Sequence, residues 1–218
     1  TVFLTPEGVP YYGGTYFPPT SRHGMPSFRQ VLEAASDAYR NRKDKILETG
    51  SHLVDALVKA NRGSTSGSVS EETQESAYRA LSNQYDAVHG GFGRAPKFPQ
   101  PVTLEFLMRY HIRTGNPSAL EMALHTLNQM AAGGMRDHLA GGFHRYSVDS
   151  RWLVPHFEKM LYDNALLARV YLQAHQITGA DEHRSVVEDT LDYLLADMQT
   201  TEGAFSSARD ADSEGEEG

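Results

Sequence analysis

The 218-residue chain contains no cysteine. That excludes disulfides, cysteine-ligated zinc and thiol catalysis within these residues. Basic residues are in the minority, 20 Lys and Arg against 28 Asp and Glu, and a formal charge of −8 offers no basic stripe to a nucleic-acid backbone. No apolar run approaches the ~20 residues that span a bilayer, and no signal peptide opens the chain. The expected setting is therefore cytoplasmic, with neither nucleic acid nor membrane as partner. No cofactor and no metal is expected. There is only one tryptophan, Trp152. An apolar content of 39% is ordinary for a globular protein, so the core is not limited by composition.

The chemistry that is present is concentrated between Gly133 and Ala165. Gly133-Gly134 reads as a helix stop, and Gly141-Gly142 as a tight turn or close backbone approach. Phe143 to Val148 alternates as a short extended segment does. Pro155 is expected to set a first helical turn, which would place His156, Glu158 and Lys159 at a helix N-terminus with its partial positive charge. A loop this rich in ionisable and aromatic residues, held between helices, is the layout of a functional site.

The strings GGFHRYSVD (residues 141–149), WLVPHFEKMLYDNA (152–165) and DADSEGEEG (210–218) resemble the YyaL-like family. The resemblance implies a thioredoxin-like domain joined to an α/α toroid of the six-hairpin glycosidase and N-acylglucosamine 2-epimerase kind. The expected fold class is mainly α: a partial six-hairpin toroid preceded by the C-terminal half of a thioredoxin-like α/β domain. Carbohydrate chemistry follows by analogy of fold alone. The chain reads as an internal fragment of such a protein, so a redox role of the thioredoxin-like part cannot be tested within it.

Three regions are expected. Residues 1–60 would hold the thioredoxin-like part and a connector helix: Thr1 to Leu4 reads as a buried strand, a Pro-Glu-Gly turn follows, and Ser27 caps a helix bearing Val31, Ala35 and Tyr39. Residues 61–69 form a Gly/Ser linker. Residues 70–218 would begin the toroid. Ser70 caps a helix drawn out to Val88, Pro101 and Pro117 open two more, and further helices run from His156 to Gly179 and from Asp181 to Gln199. Gly91-Phe92, Gly142-Phe143 and Gly203-Ala204-Phe205 suggest a faint repeat, or simple glycine caps.

The candidate catalytic residues are His144, Asp149, His156 and Glu158. Two histidines with ordinary pKa near ~6.5 suit proton transfer beside a carbonyl, whereas Asp149 and Glu158 would suit glycosidic hydrolysis. Tyr146 and Trp152 are candidate sugar-stacking rings, and Arg145, Lys159, Arg94 and Lys97 candidate binding groups. Asp163 is expected to be structural, a buried carboxylate held by hydrogen bonds to a neighbouring loop. Asp210, Asp212, Glu214 and Gly215 follow the order that opens a calcium loop, with a solvated tail as the alternative. The expected function is a carbohydrate-active protein, epimerase/isomerase-like or glycosidase-like, with a small sugar-type ligand. The alternative is a thioredoxin-like redox or client-binding protein whose toroid is a non-catalytic binding module.

Overall fold

The computed structural model describes residues 1–22, 24–61, 70–213 and 216–217. The expected Gly/Ser linker, apart from Asn61, and Glu214 and Gly215 of the expected calcium loop lie outside the described residues. Contacts divide the chain into two compact units, Thr1–Ser68 and Val69–Gly218.

In the first unit, β1 (Val2–Leu4) and β2 (Pro10–Gly13) pair antiparallel, Phe3 opposite Tyr12. Two helices follow, α1 (Phe28–Asn41) and α2 (Lys43–Asn61). The sequence reason for the start of α1 is a complete capping box, in which Ser27 and Gln30 satisfy each other's backbone N–H groups. Its buried stripe is Val31 and Ala35, at the i, i+4 spacing of one helix face. On α2, Gly50 lets the hairpin approach: a Cβ there would lie 2.5 Å from Val9 Cγ1. The expectation of a buried first strand is not met, because Val2 and Leu4 are 63% and 53% exposed. A two-stranded ribbon has too little partner surface to cover both faces.

The second unit is a row of helices: α3 (Glu71–Ser82), α4 (Pro101–Thr114), α5 (Pro117–Ala132), α6 (Leu161–Thr178) and α7 (Asp181–Tyr193), the last running on as a wide π-helical turn over Leu194–Met198. Helix α3 stops well before Val88 because the chain from Gln84 to Gly91 folds into a side-chain-tied turn. Hairpins α4–α5 and α6–α7 are built alike. At each tip a glycine takes positive φ, Gly115 at 72° and Gly179 at 71°. The histidine four residues earlier bonds through Nδ1 to the carbonyl just past the glycine, His111 to Asn116 at 2.7 Å and His175 to Ala180 at 2.9 Å. Thr114 and Thr178 close the same turn, each accepting a backbone N–H two residues on at 3.2 Å.

The core lies where α4, α5 and α6 meet, with Leu104, Leu107, Leu127, Met130, Leu167 and Tyr171 essentially sealed from solvent. Each such side chain contributes about 1.5–3 kcal/mol of burial. Tyr171 keeps its hydroxyl satisfied by donating to the Leu127 carbonyl at 2.7 Å. The short turns fall at one end of the helix row, and the long connections, 83–100 and 133–160, at the other.

Candidate functional site

Those two long connections contain one turn in two copies. Asp86 accepts through Oδ1 from the N–H groups of Val88 and His89, both at 3.0 Å, and through Oδ2 from Lys97 Nζ at 2.6 Å. Lys97 also donates to the Gly90 carbonyl at 2.7 Å. In the second copy, Asp137 accepts from Leu139 and Ala140 at 2.9 and 3.0 Å and from Lys159 Nζ at 2.7 Å, while Lys159 donates to Gly141 at 2.9 Å. An aromatic ring closes each box: Trp152 with Lys97 at 5.6 Å from its centroid, Tyr193 with Lys159 at 4.3 Å. Those rings lie on Gly91 and Gly142, where a Cβ would come within 2.5 and 2.4 Å of them. The third Gly-Phe stretch turns through Thr200 instead, whose N–H reaches the Ala204 carbonyl at 2.7 Å.

This geometry reassigns three expected ligand-binding residues. Lys97 and Lys159 are only 1% and 7% exposed, and their ammonium groups are committed to a carboxylate, a carbonyl and a ring. Trp152 is wholly buried, with Nε1 donating to the His89 carbonyl at 2.8 Å, so it is a structural wedge and presents no face to a sugar. Burial works against ionisation of Asp86 and Asp137. The lysine and backbone N–H bonds outweigh it and hold both near a pKa of about 2.

Between the Phe and the Lys, the second copy carries extra chain, the hairpin of β3 (Tyr146–Ser147) and β4 (Pro155–His156). Lys97 bridges to Ser147 on the other side, making a narrow three-strand patch. Pro155 therefore opens a strand, and the helix expected from His156 begins at Leu161, after β5 (Lys159–Met160) has paired with β6 (Ala208–Arg209). His156, Lys159 and Asp163 consequently do not share one helix face. Asp149 forms the hairpin turn and accepts from the N–H groups of Arg151, Leu153 and Val154 at 2.6, 3.3 and 2.7 Å. Burial opposes its ionisation, yet those bonds hold its carboxyl below the usual range. Its oxygens are spent on the turn, which makes it a poor catalytic carboxylate.

Across the patch, rings stack in a row. Tyr146 lies 4.9 Å from Phe98 and 4.8 Å from His156, close to the spacing of neighbouring strands. Tyr146 thus has ring neighbours on two sides. Phe98, at 45% exposure, offers the open aromatic surface that Trp152 does not. Arg94 is exposed and makes no bond or ion pair among the described residues.

Four expected residues, and one with an unexpected environment, gather beside this row. Arg145 pairs with Glu158 at 2.5 Å, and its backbone N–H donates to the Glu158 carbonyl at 2.7 Å. His156 Nε2 is 3.7 Å from the same Glu158 carboxylate. His144 is 7% exposed and its Nδ1 is 3.0 Å from the Phe157 carbonyl, which can only accept. Nδ1 must therefore carry the proton, and Nε2 is the basic nitrogen, unbonded to any described group. Burial pushes this imidazole below its ordinary pKa, against the pull of the Phe157 carbonyl.

Asp163 does not hold the loop; its neighbour Asn164 does, accepting from Phe143 N–H at 2.7 Å and donating to the carbonyls of Phe143 and Met160 at 3.0 and 2.9 Å. Asp163 itself is 8% exposed, with no hydrogen bond or ion pair among the described residues. Burial raises its pKa to about 6, with Arg145 opposing and Glu158 adding to the rise. Sequence spacing alone gives no signal to separate these two adjacent residues. Among the described residues, no three His, Asp or Glu converge as metal ligands.

Helical hairpins in a row, with long site-bearing connections at one end, define a mainly α chain of the α/α-toroid class. Solved structures share that architecture: cellobiose 2-epimerase from Bacillus thermoamylovorans (TM-score 0.56, 13% identity, covering 64% of this chain and 39% of that one) and a GH76 alpha-mannanase from Bacteroides thetaiotaomicron (0.51, 18%, 60% and 38%). At such identities the likeness is one of fold. Residues 1–58 match the family model Thioredox_DsbH, described as a protein of unknown function, DUF255. A thioredoxin-like match over residues 1–58 followed by a unit of the toroid class is the pairing that the resemblance to the YyaL-like family implies. Over 225 aligned residues it is 43% identical to spermatogenesis-associated protein 20 of Rattus norvegicus, covering all of this chain and 28% of that protein. The chain thus spans less than a third of the length of that relative.

Proposed function

We propose that the toroid unit is sugar-active and works by proton transfer, in the manner of an epimerase or isomerase. The observation that carries this is His144: a buried imidazole whose tautomer is fixed by the Phe157 carbonyl and whose basic Nε2 is left unbonded by any described group. Such a nitrogen can take the proton from the carbon beside the carbonyl of an open-chain sugar. His156, oriented by Glu158, is the partner for return of a proton on the other face, and Arg145 supplies positive charge for the oxygen that becomes negative. Phe98 offers an apolar face to the ring form. The hydrolytic reading is weaker, because Asp149 is consumed by three backbone N–H groups and cannot pair with Glu158 across a glycosidic bond. That the fold neighbours include a cellobiose 2-epimerase and a D-mannose isomerase supports the choice of probes.

The test is loss of the C2–H proton signal of D-mannose, D-glucose and cellobiose incubated in D2O with the full-length protein. Exchange is expected, and His144→Ala and His156→Ala are each expected to slow it by about 10²–10⁴-fold. No exchange by the wild type, or undiminished exchange by both variants, overturns the reading. The thioredoxin-like match over residues 1–58 supports a second reading, a redox or client-binding protein whose toroid only binds. Sugar binding without any exchange would mark that case.

A further inference from the structure

Asp163 sits in the first turn of α6, more than nine-tenths buried, and makes neither a hydrogen bond nor an ion pair among the described residues. An unpartnered carboxylate on a buried residue is costly, and its oxygens, which are not fully sealed, stay within reach of a ligand. A structural role is already filled next door. Asn164 makes three bonds that tie α6 to the Phe143 loop and the end of β5. The charged groups that bear on Asp163 are Arg145 and Glu158, both from the loop that carries the candidate site and both engaged with each other. Arg145 is thus near enough to be felt by Asp163 but is held by Glu158.

Resting on the proton-transfer reading above, we propose that Asp163 is a further catalytic group of the same site, the acid that protonates the carbonyl oxygen of an open-chain aldose while His144 takes the proton from the adjacent carbon. The C–H bond breaks toward His144 Nε2, its electron pair forms the carbon–carbon double bond, and the carbonyl π pair moves to oxygen, which takes the proton of Asp163. The products are an enediol, an imidazolium and the Asp163 carboxylate. In the second half the carboxylate takes the O1 hydroxyl proton for epimerisation, so that the C1 carbonyl re-forms, or the O2 hydroxyl proton for isomerisation, so that the carbonyl forms at C2. Carbon is reprotonated by His144 at the neighbouring position for isomerisation, or by His156 on the opposite face for epimerisation, the two imidazoles then re-equilibrating with solvent. No oxidant or reductant is needed. Burial raises the Asp163 pKa to about 6, which brings its acid form closer to the neutral range in which such a shuttle works. The ligand class is an aldose or ketose able to open to its carbonyl form.

The experiment compares full-length wild type with Asp163→Asn and Asp163→Ala, reading C2–H exchange in D2O and, separately, calorimetric affinity for the sugar that exchanges. Asp163→Asn keeps shape and removes the transferable proton. Exchange is expected to fall by 100-fold or more with affinity changed less than threefold, and formate is expected to restore part of the exchange to Asp163→Ala. Thermal melting shows that both variants fold; should one not, the other decides. Exchange at the wild-type rate in a folded variant overturns the role of Asp163 and leaves the proton-transfer reading standing. Absence of exchange in the wild type overturns both.

Discussion

At the scale of single residues, the two Asp–Lys boxes are the sharpest feature of the second unit. Each carboxyl has a pKa near 2, well below its unfolded value of about 3.9, because the lysine and two backbone N–H groups outbid the cost of burial. A pKa depressed by folding contributes stability that is complete above the unfolded value and drains away as pH falls through the folded one. Each box should therefore contribute about 2 kcal/mol at neutral pH, lost between pH ~4 and ~2. Urea titrations at pH 6 and pH 3 check this, and Asp86→Asn or Asp137→Asn should flatten the difference. Removing Lys97 instead strands the Asp86 carboxylate. Losing one partner of a buried pair costs about 3–5 kcal/mol. The glycines and phenylalanines of these boxes can be read in the sequence as a faint repeat. The lysines cannot, because the hairpin carrying Tyr146 and His156 separates the second lysine from its phenylalanine.

At the scale of elements, what the sequence reveals is uneven for a physical reason. Helix starts with a local signal are where the sequence places them: Ser27, Ser70, Pro101 and Pro117 all begin helices. Pro155 carries a similar signal and begins a strand, because the 146–147 and 208–209 segments supply cross-strand partners that local preference cannot see. The same blindness hid the division of labour between Asp163 and Asn164, which differ by one position on α6. The tie from α6 to the loop predicts its own failure. Asn164→Ala leaves the buried N–H and C=O of Phe143 without partners at roughly 1–3 kcal/mol each, so chemical denaturation should show a loss of several kcal/mol. Hydrogen exchange at the Phe143 amide should accelerate more than exchange along α4.

At the scale of the whole molecule, the contacts divide the chain between Ser68 and Val69, within the Gly/Ser-rich stretch. Limited proteolysis is expected to cut first between Asn61 and Ser70, ahead of any site from Glu71 to Met198, and first cleavage inside the helix row would contradict the division. The near-identity of the His111 and His175 turns carries a separate consequence. The two hairpins are alike in their turns yet share one core where α4, α5 and α6 meet, so burial is concentrated on the inner helices and is least on the outer ones. Opening should spread inward from α3 and α7, which have fewer helical neighbours among the described residues than α4 and α6, leaving the candidate site nearest the part that opens last.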